Sequence, residues 1–197
     1  MMIVGIDYSM TSPAVCTSPS PFHYSRCTFM FITGKQKLAI QHTPQITGKL
    51  LQPYKNPPYE YKTDYKDNLD RFTKLADITV EWIMEQPTAI MMRNYVGLEG
   101  YAFGAKGQVF NIGENTGILK LKLQRVAPTV SVFAPSEIKK FATGKGNANK
   151  LLMYEAFVEE TGDDLAKLFD LDPYNGESPV SDIIDSYYIA KYRDQNS

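Results

Sequence analysis

Four carboxylates stand where their neighbours make them chemically informative. Ile3, Val4, Gly5 and Ile6 form an apolar run that reads as a central strand and closes on Asp7. Residues 89–98 (AIMMRNYVGL) repeat that syntax and close on Glu99. Asp182 and Asp185 lie three apart in SPVSDIIDSYYIAKYRD, a spacing that puts both on one face of a helix. A carboxylate at a buried strand end is costly unless it is paired or holds a cation. It can equally cap the following loop, so Asp7 alone decides nothing. Two like charges on one helical face repel, and a helix N-terminus relieves only part of that. Solvated acids at a helix start are the plain alternative for Asp182 and Asp185. Against it stand Ile183, Ile184, Tyr187, Tyr188, Ile189 and Ala190, which imply a largely buried helix. A divalent cation explains such a pair better. An all-carboxylate set without His or Cys suits Mg²⁺ or Mn²⁺. Two such ions about 4 Å apart promote phosphodiester hydrolysis.

The elements that must bring these acids together are legible as pattern. After Asp7, strands are expected near residues 14–17 and 28–33, an antiparallel extension of the first. Residues 34–65, rich in Lys, Gln, Tyr and Pro, read as a long loop. Its Tyr54, Tyr59, Tyr61 and Tyr65 alternate with Lys55, Lys62 and Lys66, a composition that stacks on bases or grips phosphates when it is not simply solvated. Residues 64–86 carry Leu69, Phe72, Leu75, Ala76, Ile78, Trp82 and Ile83 at helical spacing, and Pro87 stops the run. A glycine-studded loop with Tyr101 and Phe103 follows Glu99, then a helix over 109–126. Gly113 and Gly117 leave a flat strip on that helix where another helix or a second copy can approach. A third strand over 129–134 precedes a short helix for which Ser136 is the expected N-cap. TGKGNANK and a helix over 150–161 come next. Lys139, Lys140, Lys145 and Lys150 fall within twelve residues that contain no acid. The cluster lacks Walker A spacing. Lysine clusters are often only solvated; beside two strand-tip acids, contact with phosphate is the better account.

Composition excludes other classes. In 197 residues, 43% hydrophobic and 12% aromatic content supports a packed core and rules out wholesale disorder. A net charge of −1 means that any nucleic acid must be met by a local basic patch. Cys16 and Cys27, eleven apart, match no zinc spacing and read as reduced thiols, and His23 and His42 have no ligand cluster beside them. No stretch of 18 apolar residues and no basic, then apolar, leader is present, so a soluble, cytoplasmic protein without a membrane partner is expected (host-cell cytoplasm if viral).

In order, IVGIDYS, VGLEGYAFG, NIGENTGILK, APSEIKKFATGKGNANK and SDIIDSYYIAK resemble the RuvC-type Holliday-junction resolvases of the ribonuclease H-like superfamily, in particular the divergent bacteriophage-type members. The resemblance covers about half of the chain. It implies an α/β ribonuclease H-like fold: a mixed five-stranded sheet, its first three strands antiparallel, flanked by helices on both faces. The whole chain would be one nuclease domain with an extended Tyr/Pro-rich hairpin or loop at about 19–64. It implies a homodimer that binds branched DNA, a four-way junction first, and nicks it in symmetric pairs to leave 5′-phosphates. Asp7, Glu99, Asp182 and Asp185 fall on the metal ligands, with two Mg²⁺ per site and Mn²⁺ able to substitute. Lys139 and Lys150 fall on backbone-contacting lysines, Lys150 also aiding the transition state, and Lys140 and Lys145 extend that surface. Asn115 lies in the helix used for dimer and junction contacts. The aromatic wedge position is Ala102 here, flanked by Tyr101 and Phe103. Wider cutting of forks, flaps and Y-structures and a non-catalytic junction binder are the alternatives. A sugar-kinase-like nucleotide binder also ends its first strand in Asp, but Ser9–Met10–Thr11 lacks the glycine its phosphate loop needs, so no nucleotide cofactor is expected.

Overall fold

Strand β1 (Met2–Asp7) is buried on both faces until its last residue, and this is why its sequence is an unbroken apolar run. The computed structural model describes residues 1–52, 65–87, 94–100 and 109–196, with backbone only at 65–67. The expectations attached to Tyr54, Lys55, Tyr59, Tyr61, Lys62, Tyr101, Ala102 and Phe103, and to the side chains of Tyr65 and Lys66, lie outside these residues.

β1 is central in a six-stranded sheet of order β4-β3-β2-β1-β5-β6. β2 (Ala14–Pro19) and β3 (Thr28–Thr33) extend it antiparallel on one side, as expected. β5 (Asn94–Glu99) and β6 (Thr129–Phe133) run parallel to it on the other. The sixth strand is a correction. Part of the segment read as a loop, Ile46–Leu50, is the edge strand β4, parallel to β3 in the register Phe31↔Gly48. Residues 34–45 make the crossover, and Gly48 N–H bonds back to Ile40 O at 2.8 Å. A crossover of about a dozen residues is enough to bring the chain back parallel.

The two-residue period of the strands divides the core. Met2, Val4 and Ile6, with Val96 and Leu98 of β5, face α1 (Tyr65–Glu85) and α2 (Val109–Leu123). Ile3, Ala14, Cys16, Phe29 and Phe31 face the other layer. That layer is α3 (Pro135–Thr143), α4 (Lys150–Thr161), α5 (Leu165–Phe169) and α6 (Val180–Gln195). By the same alternation Asp7 and Glu99 belong to the α6 face.

Helix α6 lies across β1, β2 and β5 and is buried nearly all round, as its apolar company implied. Gly5 and Gly97 are paired across β1 and β5 and form a trough for it. A Cβ on Gly5 would stand 2.2 Å from Ser186 O and 2.3 Å from Ala190 N. The α6 backbone therefore rests directly on the β1 backbone.

Helix α3 starts at Pro135, not after Ser136. Proline fits the first helical position, where its missing N–H costs nothing, and the Ala134 N–H donates to Glu137 Oε2 at 2.7 Å. Both cysteines are free and buried. Among the described residues no helix is long and apolar enough to cross a membrane.

Candidate active site

Parallel pairing of β1 with β5 sets the first half of the site. Ile6 pairs with Leu98, so Asp7 and Glu99 stand one step further, side by side at the carboxyl ends of adjacent strands. Ligand clefts of α/β sheets open at those ends. The two side chains share a hydrogen bond, which between carboxyl groups requires one proton. Burial, then the charges of Asp185, Glu99 and Asp182, push the Asp7 carboxyl well above the ordinary aspartate range. Burial also raises Glu99, although the bond from Asp7 and the nearby Lys139 pull it back.

The second half comes from α6. Asp182 is 8% exposed at its first turn. Burial raises this carboxyl, while hydrogen bonds from Ser178, Ser12 and Ser181 and the charge of Lys150 lower it. Asp185, one turn on, is pushed up to about 7 by burial and then by Glu99 and Asp182, with Lys139 and Lys150 opposing. All four acids thus act on one another. Lys139 and Lys150 are the cations that act on them, and the salt bridges of the described residues (Lys49–Glu85, Lys122–Asp77 and Lys191–Glu160) lie elsewhere.

Lys150 is anchored from two sides. Its Nζ donates to Gly176 O at 2.9 Å and to Ser181 Oγ at 3.2 Å. Gly176 is left-handed (φ 56°), and a Cβ there would meet Lys150 Cδ at 2.6 Å, so the lysine stem lies flat on the turn before α6. Lys140 and Lys145 are exposed, on α3 and the turn after it. Asn115 is completely buried and donates to Ser9 O at 3.5 Å. As placed it supports the loop after β1 rather than presenting itself to an incoming ligand. Arg71 Nε on Met10 O, at 3.0 Å, pins that loop from α1. Asp7, Glu99, Gly100, residues 8–11, Ile112 and Thr116 line a cleft of about 320 Å³.

The donor set fits a hard divalent cation. Four mutually repelling, largely desolvated carboxylates face two lysines, and their oxygens are the ligand type Mg²⁺ and Mn²⁺ prefer. Among the described residues, no group of three or more His, Cys, Asp or Glu side chains stands ready, as placed, to hold an ion. As placed, Asp7 and Glu99 are turned to each other, and Asp182 Oδ2 accepts from Ser12 and Ser178. The serines were not singled out in the sequence. Ser178 and Ser181 precede Asp182 by four residues and by one, which is the local signal; Ser12 has none.

One consequence concerns pH. Asp185 ionises near 7 in the fold against 3.8 for a free aspartate. The native state therefore holds more protons than the unfolded chain between those values, and stability falls as pH rises through that window. In EDTA the melting temperature is expected to be lower at pH 8 than at pH 5.5, with a smaller difference in Asp185→Asn. Millimolar Mg²⁺ at pH 8 is expected to restore it, because a ligand of the native state alone stabilises that state. A wild-type profile identical to that of Asp185→Asn would refute this account.

No family model and no curated protein matches the sequence. Solved structures do match. The Thermus thermophilus RuvC structure superposes with a TM-score of 0.51 at 15% identity, covering 97% of this chain and 92% of its own. T. thermophilus RuvC in complex with Holliday junction substrate gives 0.54 at 13% identity, covering 97% and 91%. Sheet, flanking helices and near-complete mutual coverage agree: the chain has a RuvC-like, ribonuclease H-like fold.

Proposed function

We propose that this chain is a divalent-metal-dependent endonuclease that cuts branched DNA, with the four-way junction as its first substrate. The observation that carries this reading is the gathering of Asp7, Glu99, Asp182 and Asp185, with Lys139 and Lys150, at one edge of the sheet. The junction substrate bound by one structural neighbour supports the choice of DNA. The four acids would hold two Mg²⁺, or Mn²⁺ in their place. Such ions supply Lewis acidity at the scissile phosphate and its leaving oxygen. Lys150, held by Gly176 and Ser181, places a positive charge beside Asp182 and Asp185 where a strand phosphate would lie. Lys139 does the same beside Glu99, and Lys140 and Lys145 meet the backbone further out. Tyr101 and Phe103, which follow Glu99 in the sequence, are the proposed base-stacking residues.

Symmetric nicking needs two sites, and α2 offers a face for a second copy. Among the described residues, a Cβ on Gly113 or Gly117 would meet nothing within 4 Å beyond its own stretch of helix. Phe110 and Leu121, on the same face, are 88% and 63% exposed. Light scattering is expected to give roughly twice the 22.2 kDa of one chain, and Gly117→Arg is expected to halve it. A 22.2 kDa wild type at micromolar concentration would remove the dimer.

The decisive experiment compares a labelled four-way junction with linear duplex, Y-fork and nicked DNA in Mg²⁺ or EDTA. Paired, metal-dependent nicks confined to the junction are expected. Equal cutting of every branched form would make the protein a debranching nuclease. Binding without cleavage in both Mg²⁺ and Mn²⁺ would overturn the catalytic reading.

A further inference from the structure

Asp182 has a different environment from the other three acids. Two hydroxyls converge on the same oxygen: Ser12 Oγ donates to Asp182 Oδ2 at 2.9 Å, and Ser178 Oγ donates to it as well. Ser12 and Ser178 lie 3.0 Å from each other, so the three side chains form one closed cluster. Among the described residues the other oxygen, Oδ1, has only Ser181 Oγ, at 3.3 Å, a longer and weaker bond than the two on Oδ2.

Both donors sit on segments held by further hydrogen bonds. Ser12 N–H bonds to Ser9 Oγ at 2.9 Å, and Ser9 O accepts from the buried Asn115. Ser178 stands four residues before Asp182, on the turn that also anchors Lys150 through Gly176. The clamp thus joins the loop after β1 to the start of α6.

Resting on the nuclease reading, we propose that Ser12 and Ser178 are positioning residues that set metal selectivity, by occupying Oδ2 of Asp182 and leaving Oδ1 alone for a cation. Ca²⁺ takes six to eight oxygens and favours carboxylates that give both; Mg²⁺ accepts six and is content with one oxygen from each. A carboxylate whose second oxygen already accepts two hydroxyl bonds is therefore a poor Ca²⁺ ligand and an adequate Mg²⁺ ligand. Freeing Oδ2 removes that discrimination. A purely structural role predicts something else, a loss common to both ions.

The test is Mn²⁺ binding followed by electron paramagnetic resonance, with Mg²⁺ and Ca²⁺ as separate competitors. The proteins are wild type, S12A/S178A, the single variant S12A, and S12T, which keeps the hydroxyl. Unfolding midpoints in EDTA establish that each is folded; S12A serves if the double variant is not. The ratio of Mg²⁺ to Ca²⁺ affinity is expected to fall about tenfold in S12A/S178A, the lower end of what ligand-orienting partners contribute. S12A should move it part of the way and S12T not at all. An unchanged ratio, or an equal loss for both ions, overturns the selectivity role. A wild type that binds Mn²⁺ normally but cuts no branched DNA overturns the nuclease reading and leaves the ratio measurable. A wild type that binds no Mn²⁺ overturns both.

Discussion

Asp7→Asn is expected to remove junction cleavage by roughly a thousandfold or more, a loss of about 4 kcal/mol from transition-state stabilisation. The same substitution should raise the melting temperature in EDTA. Asp7 is pushed up by burial and by three neighbouring acids, so ionising it costs the native state free energy. Asparagine keeps the shape, donates to Glu99 without needing the shared proton, and carries no charge. About 1 kcal/mol recovered would appear as roughly 2–4 °C in a chain of this length. The Mg²⁺-dependent rise should vanish together with activity. Cleavage within tenfold of wild type would show that Asp7 is not a ligand. A lower melting temperature in EDTA would show that the acids are not in conflict.

The largest expected effect on stability is at Gly5. Its substitution by alanine puts a methyl group 2.2 Å from Ser186 O and 2.8 Å from Ala190 Cα. Those are backbone atoms of a helix buried nearly all round, and they cannot rotate away. Either α6 lifts off β1 or the strand bends, at a cost of roughly 3 kcal/mol or more. Because Asp182 and Asp185 ride on α6, cleavage should fall even where the variant still folds. Gly97→Ala is the matched control: its new methyl meets side-chain atoms, Ile189 Cγ2 and Phe133 Cε2, both at 3.0 Å. Side chains can give, so the expected loss is smaller, about 1–2 kcal/mol. Urea unfolding of the two variants checks the order. Equal losses would mean that α6 is not seated on Gly5.

The difference between these glycines could not be read from the sequence, whereas the acids could. Asp7 and Glu99 are visible because an apolar run broken by one acid is a local pattern, and Asp182 and Asp185 because three-residue spacing is another. That the two strands are neighbours, and parallel, is a tertiary fact that the shared syntax leaves open. β4 was hidden because an edge strand with only Ile46 and Gly48 buried has too little apolar alternation to stand out among Lys, Gln and Pro. The start of α3 was misplaced by one signal outweighing another: Ser136 as a cap against Pro135 as the first helical residue. Asn115 was legible as a helix residue, but its burial against the loop after β1 depends on a tertiary approach. The clamp on Asp182 lay further out of reach. Ser12 and Asp182 are 170 residues apart, and no local pattern links them.

That separation has a kinetic side. The site is a long-range contact: β1 and β5 supply one half, and α6, the last helix in the chain, supplies the other. Contacts of such high sequence separation close late and slowly. A fragment that stops before Val180 lacks two acids and the helix that seals one face of the central strand. Because α6 is seated on backbone, amides of β1 and α6 should exchange with solvent only through global opening, at the same rate as each other. Any state of the protein loose enough to exchange those amides has already dispersed the four acids.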